Sequence, residues 1–213
     1  MYKIVVILVS FILSLDVLHA KPGSNSSNIS VSQVLHNKFA ALKSDFSMTK
    51  YFDEQHNIRS EGNVIITQDQ GICWITQRPV NRLWYITKQG NVLNSYIAQT
   101  DVANPMRTEN RNNGFGLIVK EFLTILNGNS TLLNESYSSQ VEKLEDTDTY
   151  QIVLYPKRDE MQQVIKNITL VSRDSFIKSI KIAEKDNSFT LIEFYNQTVL
   201  SAEVHEMKDL CIE

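Results

Sequence analysis

The sequence predicts an α+β protein: a strongly curved antiparallel β-sheet, an incomplete barrel, covered by a helical lid. Three observations predict it. From Phe46 to Ala98 apolar and β-branched residues recur in short runs separated by polar turns, as expected of strands with one face buried. The same pattern returns from Tyr150 to Leu200. Between the two blocks stands one stretch at helical spacing, Phe115, Ile118, Val119, Phe122, Leu123 and Leu126. A lone amphipathic helix must lay its apolar side on a sheet.

In chain order, Lys3 precedes an apolar stretch from Ile4 to Leu15, and Leu18-His19-Ala20 offers a small residue at a cleavage position. Residues 1–20 are therefore expected to be a secretory signal peptide, since the apolar stretch is shorter than the ~20 residues a membrane span needs. Residues 21–30, rich in Pro, Gly, Ser and Asn, read as a flexible leader. Residues 31–213 read as a single domain on the size prior.

Ser30 or Ser32 can cap a first helix, with Val31, Leu35, Phe39 and Leu42 on its apolar face. The period then changes to two. Phe46 and Met48 begin a first strand, Ser60 to Thr67 a second, and Ile72 to Thr76 a third after the turn Asp69-Gln70-Gly71. Arg82 to Thr87 and Val92 to Ala98 continue the meander beyond Pro79. Thr100 to Asn113 is polar and reads as a loop, and Asn127-Gly128-Asn129 stops the central helix. Strands follow at Tyr150–Pro156, Ile165–Val171, Phe176–Ala183 and Phe189–Leu200. The charged runs at 157–160, 173–174 and 185–187 supply the turns between them.

Composition argues against several functions. Lys and Arg number 21 against 24 Asp and Glu, a net charge of −3, so a nucleic-acid partner is not expected. His36, His56 and His205 have no second ligand at zinc spacing, and no metal or other cofactor is expected. With seven glycines there is no phosphate-cradling loop, and there is neither a Gly-x-Ser-x-Gly elbow nor a Cys-x-x-Cys pair. The expectation is a protein that is not an enzyme. Cys73 and Cys211, 138 residues apart, are either a disulfide, which an exported protein could keep, or two unpaired thiols. Six Asn-X-Ser/Thr sequons, including Asn167-Ile168-Thr169 and Asn196-Gln197-Thr198, read as chance matches, several of them inside strands.

Several short motifs resemble the family of the outer-membrane lipoprotein carrier LolA. Leu42-Lys43-Ser44-Asp45-Phe46-Ser47-Met48-Thr49-Lys50 is similar to that family's first-helix exit and first strand. Glu61-Gly62-Asn63-Val64-Ile65-Ile66 is similar to its second strand, and Gly71-Ile72-Cys73-Trp74 with Pro79 to its Trp and Pro segment. Leu154-Tyr155-Pro156-Lys157 resembles a later Leu-Thr-Pro-Lys motif, while Ile168-Thr169-Leu170 and Thr190-Leu191-Ile192-Glu193-Phe194 fit the last strands. The likeness runs from about Val31 to Leu200.

The resemblance implies a half-barrel with a helical lid that shields the acyl chains of lipoproteins in the periplasm. It also implies a monomer that takes cargo from an inner-membrane ABC transporter and delivers it to an outer-membrane acceptor. The lipid-binding residues expected on the concave face and lid are Phe46, Met48, Val64, Ile66, Gln68, Ile72, Trp74, Phe115, Phe122, Leu126 and Leu154. Where relatives carry a lid-holding Arg on the second strand, this chain has Gln68; Met48 and Ile72 also depart from the pattern. A weaker latch or a different cargo, another lipid or glycolipid, follows as an alternative. A lipid-sensing regulatory module is a third reading.

Overall fold

A computed structural model describes residues 29–35, 39–87, 92–96, 107–108, 125–126, 130–144 and 148–200. The expected signal peptide and nearly all of the leader, the central helix before Ile125, and Cys211 lie outside them. The strands are β1 (Ala41–Tyr51), β2 (Asn57–Thr67), β3 (Gly71–Arg78), β4 (Arg82–Thr87), β5 (Val92–Tyr96) and β6 (Arg107–Thr108). The second block holds β7 (Tyr137–Leu144), β8 (Thr149–Pro156), β9 (Ile165–Arg173), β10 (Phe176–Glu184) and β11 (Phe189–Leu200). Short helices are α1 (Val31–Val34), α2 (Ser130–Ser136) and α3 (Asp159–Gln162), and Ile125 and Leu126 are helical.

Among the described residues eleven strands form one open antiparallel sheet in the order β6-β5-β4-β3-β2-β1-β11-β10-β9-β8-β7. Each half is a meander of consecutive strands, and the two are joined where β1 pairs with β11 along its length, Ala41 opposite Leu200 and Tyr51 opposite Phe189. The sheet is strongly curved. Extra residues interrupt the ladders between Lys43 and Asp45 on β1 against β11, between Glu61 and Gly62 on β2 against β3, and twice between β9 and β10. Such bulges bend a strand and increase its twist. At the first of them Asn196 has φ 52° and its side-chain amide donates to Asp45 Oδ2 at 2.8 Å.

Alternation decides which side chains go inside. Leu42, Phe46, Val64, Ile66, Ile72, Ile86, Ile152, Leu154, Ile168, Leu170, Ile180, Ile192 and Phe194 form one buried cluster on the concave face. Each such side chain contributes about 1.5–3 kcal/mol relative to exposure. A second, smaller cluster lies on the opposite face, where Ile65, Cys73 and Leu83 are buried with Ile75, Tyr85 and Leu200 packed on them. Cys73 in that cluster is disulfide-bonded, so the reading of unpaired thiols does not hold; Cys211 is the chain's one other cysteine.

Four expectations need correction. The first helix stops at Val34, and Leu42, assigned to its apolar face, is already in β1 opposite Ile66 and Val199; ladder bonds to two neighbours outweigh a fortuitous helical spacing. Ser30 opens that helix, its backbone N–H donating to Gln33 Oε1 at 2.8 Å. Strand β7 was not expected, because its solvent-facing residues Ser138, Ser139, Gln140, Glu142 and Lys143 hide any alternation. The polar loop from Thr100 to Asn113 contains β6, which pairs with β5. The charged run at 157–160 enters α3, whose Met161 is buried.

Candidate functional site

The β1–β2, β3–β4 and β10–β11 hairpins and the α3 connection into β9 all lie at one end of the sheet. The register places them there: Tyr51 faces Asn57 and Phe189, Glu61 faces Arg78, and Ile165 faces Glu184. Here the concave face holds a cavity of about 510 Å³. Its walls come from Met48 on β1, Ser60 on β2, Trp74 and Thr76 on β3, and Arg82, Trp84 and Ile86 on β4. Across from them stand Ile165, Ile182, Glu184, Thr190 and Ile192 of β9, β10 and β11, with Pro79, Val80 and Val164 at the edge. Strands β4 and β9 are six places apart in the sheet, roughly 29 Å if it were flat. Curvature alone lets them face each other across one cavity.

Aromatic stacking fixes the floor. The Trp74 ring lies 3.9 Å from the Phe46 ring, and Phe194 meets it edge-on at 6.3 Å. Phe46 has this room because its neighbour across β2 is Gly62. A Cβ on Gly62 would fall 1.8 Å from the Ile75 carbonyl oxygen. Trp84 is the cross-strand partner of Trp74, and the Arg82 guanidinium sits over its ring at 5.6 Å, a cation–π contact.

The mouth is polar and tied across the barrel. The Lys50 ammonium donates to Glu184 and, at 2.9 Å, to Ser188 Oγ. Ser188 in turn donates its hydroxyl and its backbone N–H to Asp186 Oδ1 at 2.6 and 2.9 Å. Those two bonds, with a smaller contribution from Lys50, hold the Asp186 carboxyl below its ordinary range. The Lys185 N–H donates to the Val164 carbonyl at 3.0 Å, joining the β10–β11 hairpin to the entry of β9. Val80 and Val164 are exposed at this rim, 56% and 44% accessible.

The opposite end is filled. Phe39 stacks on Phe176 with 6.1 Å between ring centres. With Leu42, Ile66, Leu126 and Ile177 they leave a crevice of about 10 Å³, room for about one water. Among the described residues the concave face is thus packed at one end and hollow at the other.

Of the residues expected to meet lipid, Met48 and Trp74 line the cavity and Phe46 lies against Trp74. Val64, Ile72 and Leu154 are fully buried in the core, while Ile66 and Leu126 border the filled end. Phe115 and Phe122 lie outside the described residues. Gln68, expected on the second strand, is the first residue of the β2–β3 turn, its backbone N–H donating to the Ala40 carbonyl at 3.1 Å. The sequence reading missed Arg82, Trp84, Ile86, Ile165, Ile182 and Ile192. Trp84 and Ile86 were within reach, because they alternate in step with Trp74 and Ile72 across the next turn.

Of the three histidines weighed as zinc ligands, His56 is exposed and bonded to Asp53 through Nδ1 at 2.9 Å in the β1–β2 hairpin; His36 and His205 lie outside the described residues. No cluster of metal-ligating residues occurs among the described residues, nor is any described helix long and apolar enough to cross a membrane.

No protein-family profile and no curated protein matches the chain. Among solved structures it is similar to a LolA superfamily protein from Nitrosomonas europaea, with 9% identity and a TM-score of 0.44 over 81% of this chain and 94% of that one. It is similar to MucB at 9% identity and a TM-score of 0.45, over 83% of this chain and 58% of MucB. A putative outer membrane lipoprotein-sorting protein domain from Vibrio parahaemolyticus follows, at 9% identity and a TM-score of 0.38 over 82% and 92%.

Proposed function

We propose that this protein is a periplasmic carrier, not an enzyme, that shelters acyl chains from water between two membranes. The observation that carries this reading is the cavity of about 510 Å³ on the concave face, walled by Trp74, Trp84, Ile86, Ile182 and Ile192. Its size lies in the range of small-molecule sites, and such sites are mostly apolar with a few placed polar groups. An acyl chain gains about 0.8 kcal/mol per buried CH₂. Met48, with a flexible thioether, lets the wall adapt to chains of different shape.

The sequence resemblance makes an acylated lipoprotein the first cargo to consider. It also supplies the partners: an inner-membrane ABC transporter as donor, an outer-membrane acceptor, and a monomeric carrier between them. The second reading, another lipid or glycolipid within a dedicated export route, is favoured by the departures from the family pattern at Met48, Gln68 and Ile72. The decisive experiment is titration of the purified protein with an acyl-chain fluorophore, followed by competition with a triacylated lipoprotein. Stoichiometric binding, displaced by acylated competitors and weakened by Trp74→Glu, is expected. If no acylated ligand displaces the probe, the carrier reading is wrong.

A further inference from the structure

The outer face of the sheet, turned away from the cavity, is covered in one place. On β2, β3 and β4 the outward side chains of Ile65, Cys73 and Leu83 are 4%, 0% and 4% exposed, and Ala41 and Thr67 beside them are buried too. The same face of β8, β9 and β11 is bare by comparison. There Val153, Thr169 and Val171 are half-buried, and Tyr155 and Tyr195 stand 37% and 44% exposed. An antiparallel sheet with one face in water puts polar residues on that face, and an apolar patch buried there calls for a second layer. The described helices are engaged elsewhere: Val31 and Val34 of α1, Leu133 of α2 and Met161 of α3 all belong to the concave cluster.

The chain's chemistry says what the second layer is. Cys73, in the middle of the patch, is disulfide-bonded, and Cys211 is the one other cysteine. Leu200, the last residue of β11, packs at the edge of the same patch. The register row Leu200–Ala41–Thr67–Gly71 runs from there across β1 and β2 to β3, with Cys73 two residues further on. Three strand spacings and two residues of rise make a path of roughly 16 Å. Eleven residues separate Leu200 from Cys211, which span about 16 Å as a helix and about 36 Å extended, so the connection closes in either form. Val204, Met207 and Cys211 recur at helical spacing, with Glu206, Asp209 and Glu213 off that stripe.

We infer that residues 201–213 fold back over the outer face of β1–β4 as a clasp, with Val204 and Met207 laid on the Ile65, Leu83 and Tyr85 patch and Cys211 bonded to Cys73. The clasp braces the back of the cavity wall, because Cys73 stands on β3 between Ile72 and Trp74, whose side chains point the other way. It holds whatever the cavity carries.

The test is tryptic digestion of the folded, oxidised protein followed by mass spectrometry, with binding of an apolar dye to point variants. Lys208 is the one tryptic site in residues 201–213. The expected protein is a monomer without a free thiol, and Lys208 is cut at least about tenfold more slowly than in Cys211→Ser, as for a site reached only by local opening. Val204→Glu and Met207→Glu should speed that cut and raise dye binding with the disulfide intact. His205→Gln, off the apolar stripe, should change neither. The two glutamate variants keep the readout if Cys211→Ser fails to fold. A disulfide that joins two copies of the chain overturns the inference. So does a Lys208 cut as fast in the folded, oxidised protein as in Cys211→Ser, or glutamate variants that behave like His205→Gln.

Discussion

Lys50, on the first strand, donates a hydrogen bond of 2.9 Å to Ser188 Oγ in the last hairpin. The same ammonium pairs with Glu184, each side chain about a quarter exposed. The lysine thereby fastens the two halves of the sheet at the cavity mouth. Lys50→Met should lower stability by roughly 1 kcal/mol, because partial exposure screens the charge. Urea denaturation should show a lower midpoint at unchanged slope. A double-mutant cycle with Glu184→Gln should return a positive coupling; a coupling of zero would show that the pair holds nothing together.

The chain's two tryptophans, Trp74 and Trp84, are both in the cavity wall and directly opposite each other. Intrinsic fluorescence is therefore a cavity signal. Ligand uptake should shift the emission to the blue, with most of the change lost in Trp84→Phe. Trp74→Ala also removes the stack on Phe46 and should cost about 3–5 kcal/mol, read from thermal or urea unfolding.

Gly62→Ala should be among the most damaging small substitutions in the chain. The new methyl would stand 1.8 Å from a backbone oxygen, Ile75 O, and backbone in a bulged ladder cannot move aside cheaply. A loss of about 3 kcal/mol, the upper end for overpacking, is expected. An alanine variant as stable as the parent would place the bulge elsewhere.

Tyr137, at the start of β7, is buried, and burial pushes its hydroxyl pKa up to about 12. Its folded pKa is above the unfolded value near 10, so the unfolded chain releases the proton first. Stability from this group is complete below pH 10 and is lost as pH rises toward 12. Tyr137→Phe should flatten stability over that window. It should also leave neutral-pH stability unchanged or slightly higher, since the hydroxyl has no hydrogen-bond partner among the described residues. Urea midpoints between pH 9 and 11.5 would check both.

The strands were legible wherever a polar turn met strict alternation. The β9–β10 turn shows why: Arg173-Asp174 announced it, and Asp174 and Ser175 both take positive φ, 54° and 67°, as a tight hairpin requires. Strand β7 was not legible, because an edge strand with polar side chains on its exposed face carries no alternation to read. The cavity was half legible. Phe46, Met48 and Trp74 could be placed on one face by parity. Ile165, Ile182 and Ile192 could not be assigned to the same space, because that depends on how far four bulges bend a sheet between strands six places apart. Spacing along the chain carries no record of such an accumulated bend.

The seam between β1 and β11 has a consequence for how the molecule comes into being. Its two partners lie about 140 residues apart in the sequence, so the wall that holds Met48 beside Ile192 cannot exist until β11 has been made. Long-range pairings of this kind form slowly. Until then the two meanders are not joined and there is no shared concave face between them. A chain cut before Phe189 would be two such meanders and no vessel, so the cavity would arrive in one step, with β11.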